Sequence, residues 1–161
     1  MPHISIITTL YNQEPYIREF YARTREVVTR LTDDYEYVFV DDGSEDKSRE
    51  LVKELIGEDD RVRLVELSRN FGHHKAVMAG LEHVRGELVY LTDSDLEEPP
   101  ELLERFYKIL QSDPEHVDVV YGYMEERKGN WSERWPGALF YSLINLVAEV
   151  EIPKNMMAAR L

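Results

Sequence analysis

The chain contains no cysteine, which excludes a disulfide framework and any thiolate metal centre. Positive charge is scarce: 19 Lys and Arg stand against 32 Asp and Glu, for a net charge of −13. Such a chain repels duplex nucleic acid and anionic bilayer surfaces on average, so neither is an expected partner. Long hydrophobic runs are missing as well. The longest mostly apolar stretch, Ala138 to Ala148, is broken by Ser142 and Asn145 and falls well short of the roughly 20 residues a spanning helix needs. No charged segment followed by an apolar one opens the sequence, so a cytosolic location is expected. Gly/Ser linkers, internal repeats and low-complexity tracts are absent, and 161 residues are enough for one domain with its own core.

What is present is an alternation of short apolar runs with longer segments of helical period. That pattern predicts an α/β fold with a mainly parallel sheet and helices on both faces. Strands are expected near Ile4 to Thr8, Tyr35 to Val40, Val62 to Leu67, Leu88 to Thr92 and Val117 to Tyr121, each almost continuously apolar, as burial on both faces demands. Helices are expected between them. The first enters at Pro15 and runs towards Leu31, and the second starts at an Ser44 N-cap and shows Leu51, Val52, Leu55 and Ile56 on one face. The third spans about His74 to Val84, with Val77, Met78, Leu81 and Val84 as its apolar face, and the fourth starts at Pro100. Gln111 to His116 reads as a solvated connection. Beyond Tyr123 the pattern changes, with a polar, Gly-broken Glu125 to Trp131 and then an aromatic and aliphatic Trp135 to Val150. Ordinary burial against the sheet edge accounts for the last segment, and so does an interfacial helix using Trp131, Trp135, Phe140 and Tyr141.

The acidic run Asp93 to Glu101, DSDLEEPPE, follows the fourth expected strand directly. Carboxylates at the carboxyl end of a buried parallel strand stand where an open α/β sheet binds ligands. Two aspartates one residue apart, with Glu97 and Glu98 close behind, form a hard-oxygen cluster suited to Mg²⁺ or Mn²⁺ with phosphate as co-ligand. Two other strand ends carry polar groups: Thr9, Tyr11, Asn12 and Gln13 after the first, and Asp41, Asp42, Gly43 and Ser44 after the second. Convergence of these turns specifies a nucleoside diphosphate, with Tyr11 stacking on a base, Asp42 accepting from a base N–H, and Asp93 with Asp95 carrying metal and phosphate. After the third strand, Ser68 to Lys75 concentrates positive charge in an acidic chain, chiefly on Arg69 and Lys75.

Each element also has a plain structural reading. Asp-Asp-Gly-Ser is what a turn and helix cap require, Glu97, Glu98 and Glu101 favour a helix N-terminus through its dipole, and His73 and His74 read as loop residues at a helix start. A phosphatase of the haloacid dehalogenase type also uses a strand-end D-x-D, but normally near its N-terminus and followed by Thr. A receiver-like signalling domain carries its acidic pair after the first strand, whereas Asp41 and Asp42 here follow the second.

Four segments, Ile4 to Ile17, Val38 to Asp46, Leu67 to Leu81 and Gly86 to Glu101, resemble in order the opening strand with its Y-N-E turn, the D-D-G-S nucleotide loop, the S-R-N-F-G segment and the D-x-D metal segment of family 2 glycosyltransferases. The resemblance is to the GT-A fold, in the subgroup of polyprenyl-phosphate sugar transferases related to dolichyl-phosphate mannose synthase, and covers the N-terminal part of that family. It implies a Rossmann-like GT-A sheet, with residues 1–123 as a donor-binding core and 124–161 as the start of an acceptor side that is otherwise truncated. It further implies that Thr9, Tyr11 and Asp42 hold base and ribose, that Gln13 lies near the nucleotide, and that Arg69 lines the donor pocket. Asp93 would meet the ribose or the metal-bound diphosphate, Asp95 would be the principal ligand of Mg²⁺ or Mn²⁺, and Glu97 stands where relatives have a Gln approaching the metal. Arg127 and Arg160 match basic residues directed at phosphates.

The implied activity is a metal-dependent inverting transfer of a sugar from a nucleotide-diphosphate donor to a polyprenyl phosphate or a growing glycan, in polysaccharide or cell-envelope biosynthesis. The alternative is a donor-binding fragment without transfer. Peripheral membrane association at the inner membrane face and a homo-oligomer are compatible with it. Several family features are altered: the proline before Y-N is replaced by Thr9-Leu10, the Glu after it by Gln13, and the subgroup's G-D-F-R-L by Met157 to Leu161. No counterpart of the acidic pair that supplies a catalytic base is visible, nor of the Q-x-x-R-W of processive synthases.

Overall fold

The structure, a computed structural model, describes residues 3–123 and 156–161. Among the described residues, six strands and four helices follow in the order β1 (Ile4–Leu10), α1 (Ile17–Val28), β2 (Tyr35–Asp41), α2 (Ser48–Glu58), β3 (Val62–Glu66), α3 (His73–Leu81), β4 (Leu88–Leu91), α4 (Leu102–Ser112), β5 (Tyr121–Tyr123) and β6 (Met156–Arg160). They build one sheet of order β3-β2-β1-β4-β6-β5. β1 lies at the switch point, parallel to both β2 and β4, with Ile4 opposite Tyr35 on one side and Leu88 on the other. The sheet is mostly parallel, with β6 the antiparallel exception against β4.

Strand periodicity divides the core. Ile7, Val38, Val40 and Leu91 point to one face and pack on Ala76 and Val77 of α3. Their neighbours point the other way: Phe39 meets Phe20 of α1 edge to face at 6.1 Å, Tyr37 meets Tyr21 at 5.2 Å, and Tyr90 meets Phe106 of α4 at 6.4 Å. Right-handed crossovers account for this split, since the path reverses after β3 and carries α3 back across the opposite face. α3 lies so close to the sheet that a Cβ on Gly80 would stand 2.4 Å from Ile7 Cδ1 and 2.7 Å from Val40 Cγ2. Gly80→Ala is therefore expected to destabilise the fold by about 1–3 kcal/mol through overpacking, read by urea denaturation. An unchanged midpoint would mean that α3 does not sit this close.

Two buried carboxylates are paired with donors from distant elements. Glu36 at the amino end of β2 takes the hydroxyl of Ser5 at 2.7 Å, the Arg85 N–H at 2.6 Å and Arg63 Nη1 at 3.0 Å. Asp59, after α2, accepts from Tyr21 Oη at 2.7 Å and from Arg61 Nε at 2.9 Å. Burial pushes the Asp59 carboxyl up, but the bonds from Tyr21 and Arg61 outweigh it and hold the group below its ordinary range. A lowered folded value contributes stability that is complete above the unfolded value and is lost as pH falls through the folded one. The melting temperature is thus expected to fall from about pH 4 downward, and Asp59→Asn to flatten that slope while lowering stability at neutral pH. Parallel acid titrations of the two proteins would refute this assignment.

Five expected strands are found, with two differences. The fifth begins only at Tyr121; before it, Val120 exchanges backbone N–H···O bonds with Leu161 at 2.8 and 2.9 Å. β6 was not expected as a strand. Met-Met-Ala-Ala-Arg has little β-propensity of its own; it pairs antiparallel with β4 at Leu91 and Arg160, and the Glu98 carboxylate takes the N–H groups of Ala158 and Ala159 at 2.7 and 2.6 Å. Residues 158–161 accordingly group with 1–121 in one compact unit. Residues 122–157 form a second, of which Gly122, Tyr123, Met156 and Met157 are described. Arg127 and the Trp135 to Val150 segment lie outside the described residues. Helix starts also shift: α2 opens at Ser48 rather than at an Ser44 cap, and α3 ends at Leu81, with Met78 60% exposed rather than part of a buried face. Among the described residues no helix is long and apolar enough to cross a membrane.

Candidate functional site

The carboxyl ends of β1, β2 and β4 meet in one cleft of about 290 Å³. The first two turns are clasped together by reciprocal bonds. Asn12, in the left-handed region at φ 56°, gives its N–H to Ser44 Oγ at 3.1 Å and takes the Glu45 N–H on Oδ1 at 2.9 Å. Gln13 N–H donates to Ser48 Oγ at 2.8 Å, and Glu14 N–H to Asp46 Oδ2 at 3.0 Å. Ser44 therefore joins two loops instead of capping a helix. Asn tolerates the positive φ that this turn requires better than most residues do.

The third element is the loop after β3. Gly43, at φ 75°, lies so near it that a Cβ would stand 2.6 Å from both the Arg69 carbonyl carbon and the Asn70 nitrogen. Next to it, Asp42 is 3% exposed and accepts the Phe71 N–H on Oδ1 at 2.7 Å and the Gly72 N–H on Oδ2 at 2.9 Å. Asp41 is structural: fully buried, it takes Arg49 Nε and Nη2 at 3.0 and 2.8 Å. A carboxylate has about four acceptor sites, so Asp42 fastens the loop and still has lone pairs for a ligand.

After β4, Asp93 and Asp95 face the same cleft with Ser94 between them. Asp95 Oδ1 accepts the Glu97 N–H at 3.0 Å, and Leu96 adopts φ 62° in the intervening turn. Burial pushes the Asp93 carboxyl up, opposed by His73 and Arg160 and reinforced by the Asp95 carboxylate. Two hard-oxygen donors on one turn, one of them partly desolvated beside a like charge, fit a divalent cation whose remaining positions are filled by phosphate and water. Among the described residues no group of three or more His, Asp or Glu could hold a metal by itself.

Of the expected site residues, Thr9, Tyr11, Gln13, Asp42, Asp93 and Asp95 all line the cleft. Gln13 Oε1 is buried there without a hydrogen-bond partner among the described residues, an acceptor waiting for a donor. Two residues are placed elsewhere. The Arg69 guanidinium lies over the Phe71 ring at 4.3 Å, and Glu97 is exposed; neither is among the residues lining the cleft. Glu98, read with the hard-oxygen cluster, is spent on β6 instead. Sequence reasoning missed Asn70, Ser94 and His73. His73 opens α3, and its Nδ1 lies 3.1 Å from Thr9 Oγ1. The basic Ser68 to Lys75 segment points to this part of the cleft, but its larger charges sit on Arg69 and Lys75.

The sequence profile described as Glycosyl transferase family 2 matches residues 5–159. A Mycobacterium tuberculosis protein described in general terms as a glycosyltransferase is 45% identical over 158 residues, 98% of this chain and 46% of that protein. An undecaprenyl-phosphate 4-deoxy-4-formamido-L-arabinose transferase of Edwardsiella ictaluri is 35% identical over 142 residues, 88% of this chain and 43% of its own length. Among solved structures, the mannosyltransferase PcManGT from Pyrobaculum calidifontis, in complex with GDP-Man and Mn²⁺, superposes with a TM-score of 0.63 at 28% identity, covering 78% of this chain and 36% of that one. The chain thus spans about half the length, or less, of the relatives it matches. The sheet order, the cleft at the strand ends and these likenesses agree on the GT-A fold, and the chain belongs to glycosyl transferase family 2.

Proposed function

We propose that the protein to which this chain belongs is a metal-dependent inverting glycosyltransferase that moves a sugar from a nucleoside-diphosphate donor to a polyprenyl phosphate. The observation that carries the reading is the gathering of Tyr11, Gln13 and Asp42 with Asp93 and Asp95 in one cleft. Tyr11, 47% exposed at its rim, offers a face for a base, Gln13 Oε1 and Asp42 offer acceptors for base or ribose donors, and Asp93 and Asp95 hold Mg²⁺ or Mn²⁺. The cation, when bound, neutralises charge that builds on the leaving diphosphate. Support comes from the undecaprenyl-phosphate transferase among the relatives and from the GDP-Man and Mn²⁺ of the structural neighbour.

The bond that forms joins an acceptor oxygen to the anomeric carbon, and the bond that breaks joins that carbon to the diphosphate. Among the described residues, the cleft's carboxylates have other duties: Asp42 holds the 71–72 peptide groups, and Asp93 and Asp95 would hold the cation. A phosphate acceptor is already an anion and needs no base to attack, which fits this lining. Residues 1–123 act as the donor-binding core, and the reaction belongs at the inner face of a membrane, where a lipid-linked acceptor is presented. The same lining also fits a second reading, donor binding without transfer.

A thermal-shift panel of UDP-, GDP- and dTDP-sugars with and without Mn²⁺ tests donor binding, because a ligand that binds only the folded state raises the midpoint. Assay of nucleoside-diphosphate release with polyprenyl phosphate then separates transfer from binding alone. No shift with any donor would end the reading.

A further inference from the structure

Among the described residues, the cleft is lined by three carboxylates, on Asp42, Asp93 and Asp95, and by no lysine or arginine. A nucleoside diphosphate adds further negative charge, in a chain already at −13, and one divalent cation offsets only part of it. Among the described lining residues, the one side chain able to carry positive charge is His73. It is also held in place. Its ring Nδ1 lies 3.1 Å from Thr9 Oγ1 at the end of β1, and the two residues before it are pinned by the Asp42 carboxylate at 2.7 and 2.9 Å. Gly72, at φ 95°, makes the turn into α3, so the ring stands on the helix's first residue, where backbone dipoles favour an anion.

His73 Nε2 has no hydrogen-bond partner among the described residues. When the Thr9 hydroxyl donates to Nδ1, the ring proton resides on Nε2, which is the tautomer that can donate to an acceptor-only phosphate oxygen. We propose that His73 is a donor-binding residue, its Nε2–H contacting a phosphate oxygen of the nucleoside diphosphate from the α3 side of the cleft, and that Asp42 positions it by fixing the 71–72 peptide groups. On the α3 side of the cleft, contact with the diphosphate thus comes from the helix start rather than from Arg69, which is stacked on Phe71. This rests on the donor-binding reading above.

Calorimetric titration of the Mn²⁺-saturated protein with UDP and GDP, alongside NMR titration with uridine and guanosine, tests it. His73→Ala is expected to raise the Kd of the bound diphosphate about tenfold, the scale of a hydrogen bond to a charged group, and to leave nucleoside affinity unchanged. His73→Gln, which restores a neutral donor, recovers most of the loss, and His74→Ala at the neighbouring exposed position changes neither Kd. Thermal melts of each variant confirm folding. An unchanged diphosphate Kd in His73→Ala, or an equal loss for nucleoside and diphosphate, overturns the assignment while leaving the donor reading intact. If the unaltered protein binds neither diphosphate, the donor reading falls and this proposal with it.

Discussion

Replacing Asp95 by alanine will abolish the Mn²⁺-dependent rise in melting temperature produced by the donor nucleotide, and will cut donor turnover by roughly 10²- to 10³-fold. The expectation follows from how little else Asp95 does. Apart from accepting the Glu97 N–H at 3.0 Å, its carboxylate has no bond within the described fold, so the variant keeps its core. What it loses is one of the two hard oxygen donors in the cleft, and the remaining one, Asp93, is partly buried and held by burial above its ordinary range. At a donor concentration of about 100 times Kd, binding to the folded state is worth about 2.7 kcal/mol, which in a domain of this size is a shift of roughly 5–10 °C. Scans of the two proteins with donor, with and without Mn²⁺, read the difference. A variant that still shows the Mn²⁺-dependent shift would remove Asp95 from the metal site.

Asp42→Ala has the second largest expected effect, and a double one. The residue is 3% exposed, and each carboxylate oxygen accepts one peptide N–H, from Phe71 and from Gly72. Truncation leaves two donors without partners, each costing about 1–3 kcal/mol, so a stability loss of about 2–6 kcal/mol is expected in urea denaturation. Hydrogen exchange localises it: the Phe71 and Gly72 amides lose protection, while amides of β1 and β2 exchange no faster than the global loss requires. Nucleotide binding falls at the same time, because the loop that carries Asn70 and His73 into the cleft is released. Unchanged protection at 71 and 72 would show that the clamp is not made.

Much of this arrangement is legible in the sequence because burial on both faces leaves a strong signature. β1, β2 and β4 are largely apolar runs, and Ile4, Ile6, Val38 and Val40 are each no more than 1% exposed, whereas β3 at the sheet edge carries Arg63 and Glu66. The strand ends are equally readable, since polar residues such as Thr9, Asp42 and Asp93 follow those runs directly. What is not legible depends on partners distant in sequence. Glu98 looks like a member of an acidic cluster until Ala158 and Ala159 are placed on it, 60 and 61 residues away. Ser44 has every property of a helix cap, yet Asn12, 32 residues earlier, claims its oxygen. Arg69 offers the larger charge after β3, but Phe71 provides a ring for its guanidinium to cover, and the less conspicuous His73 lines the cleft.

Local pattern therefore locates the elements, and nonlocal hydrogen bonds decide which side chains are left for a ligand. Asp41 and Asp42 illustrate the division most sharply. Adjacent in sequence and both buried, one is spent on Arg49 and the other on a loop whose far end opens into the cleft.

In the proposed site, three turns separated by tens of residues would surround one cation and the nucleotide it neutralises. Paramagnetic broadening by Mn²⁺ in amide NMR spectra, recorded in the presence of UDP or GDP, tests it most directly. The predicted result is simultaneous loss of the Thr9, Tyr11, His73, Ser94 and Asp95 resonances at substoichiometric Mn²⁺, with the signals of α2 and the outer turns of α4 preserved. Broadening centred on the acidic exposed residues of α1 and α2, with the Tyr11, His73 and Asp95 signals left sharp, would contradict it.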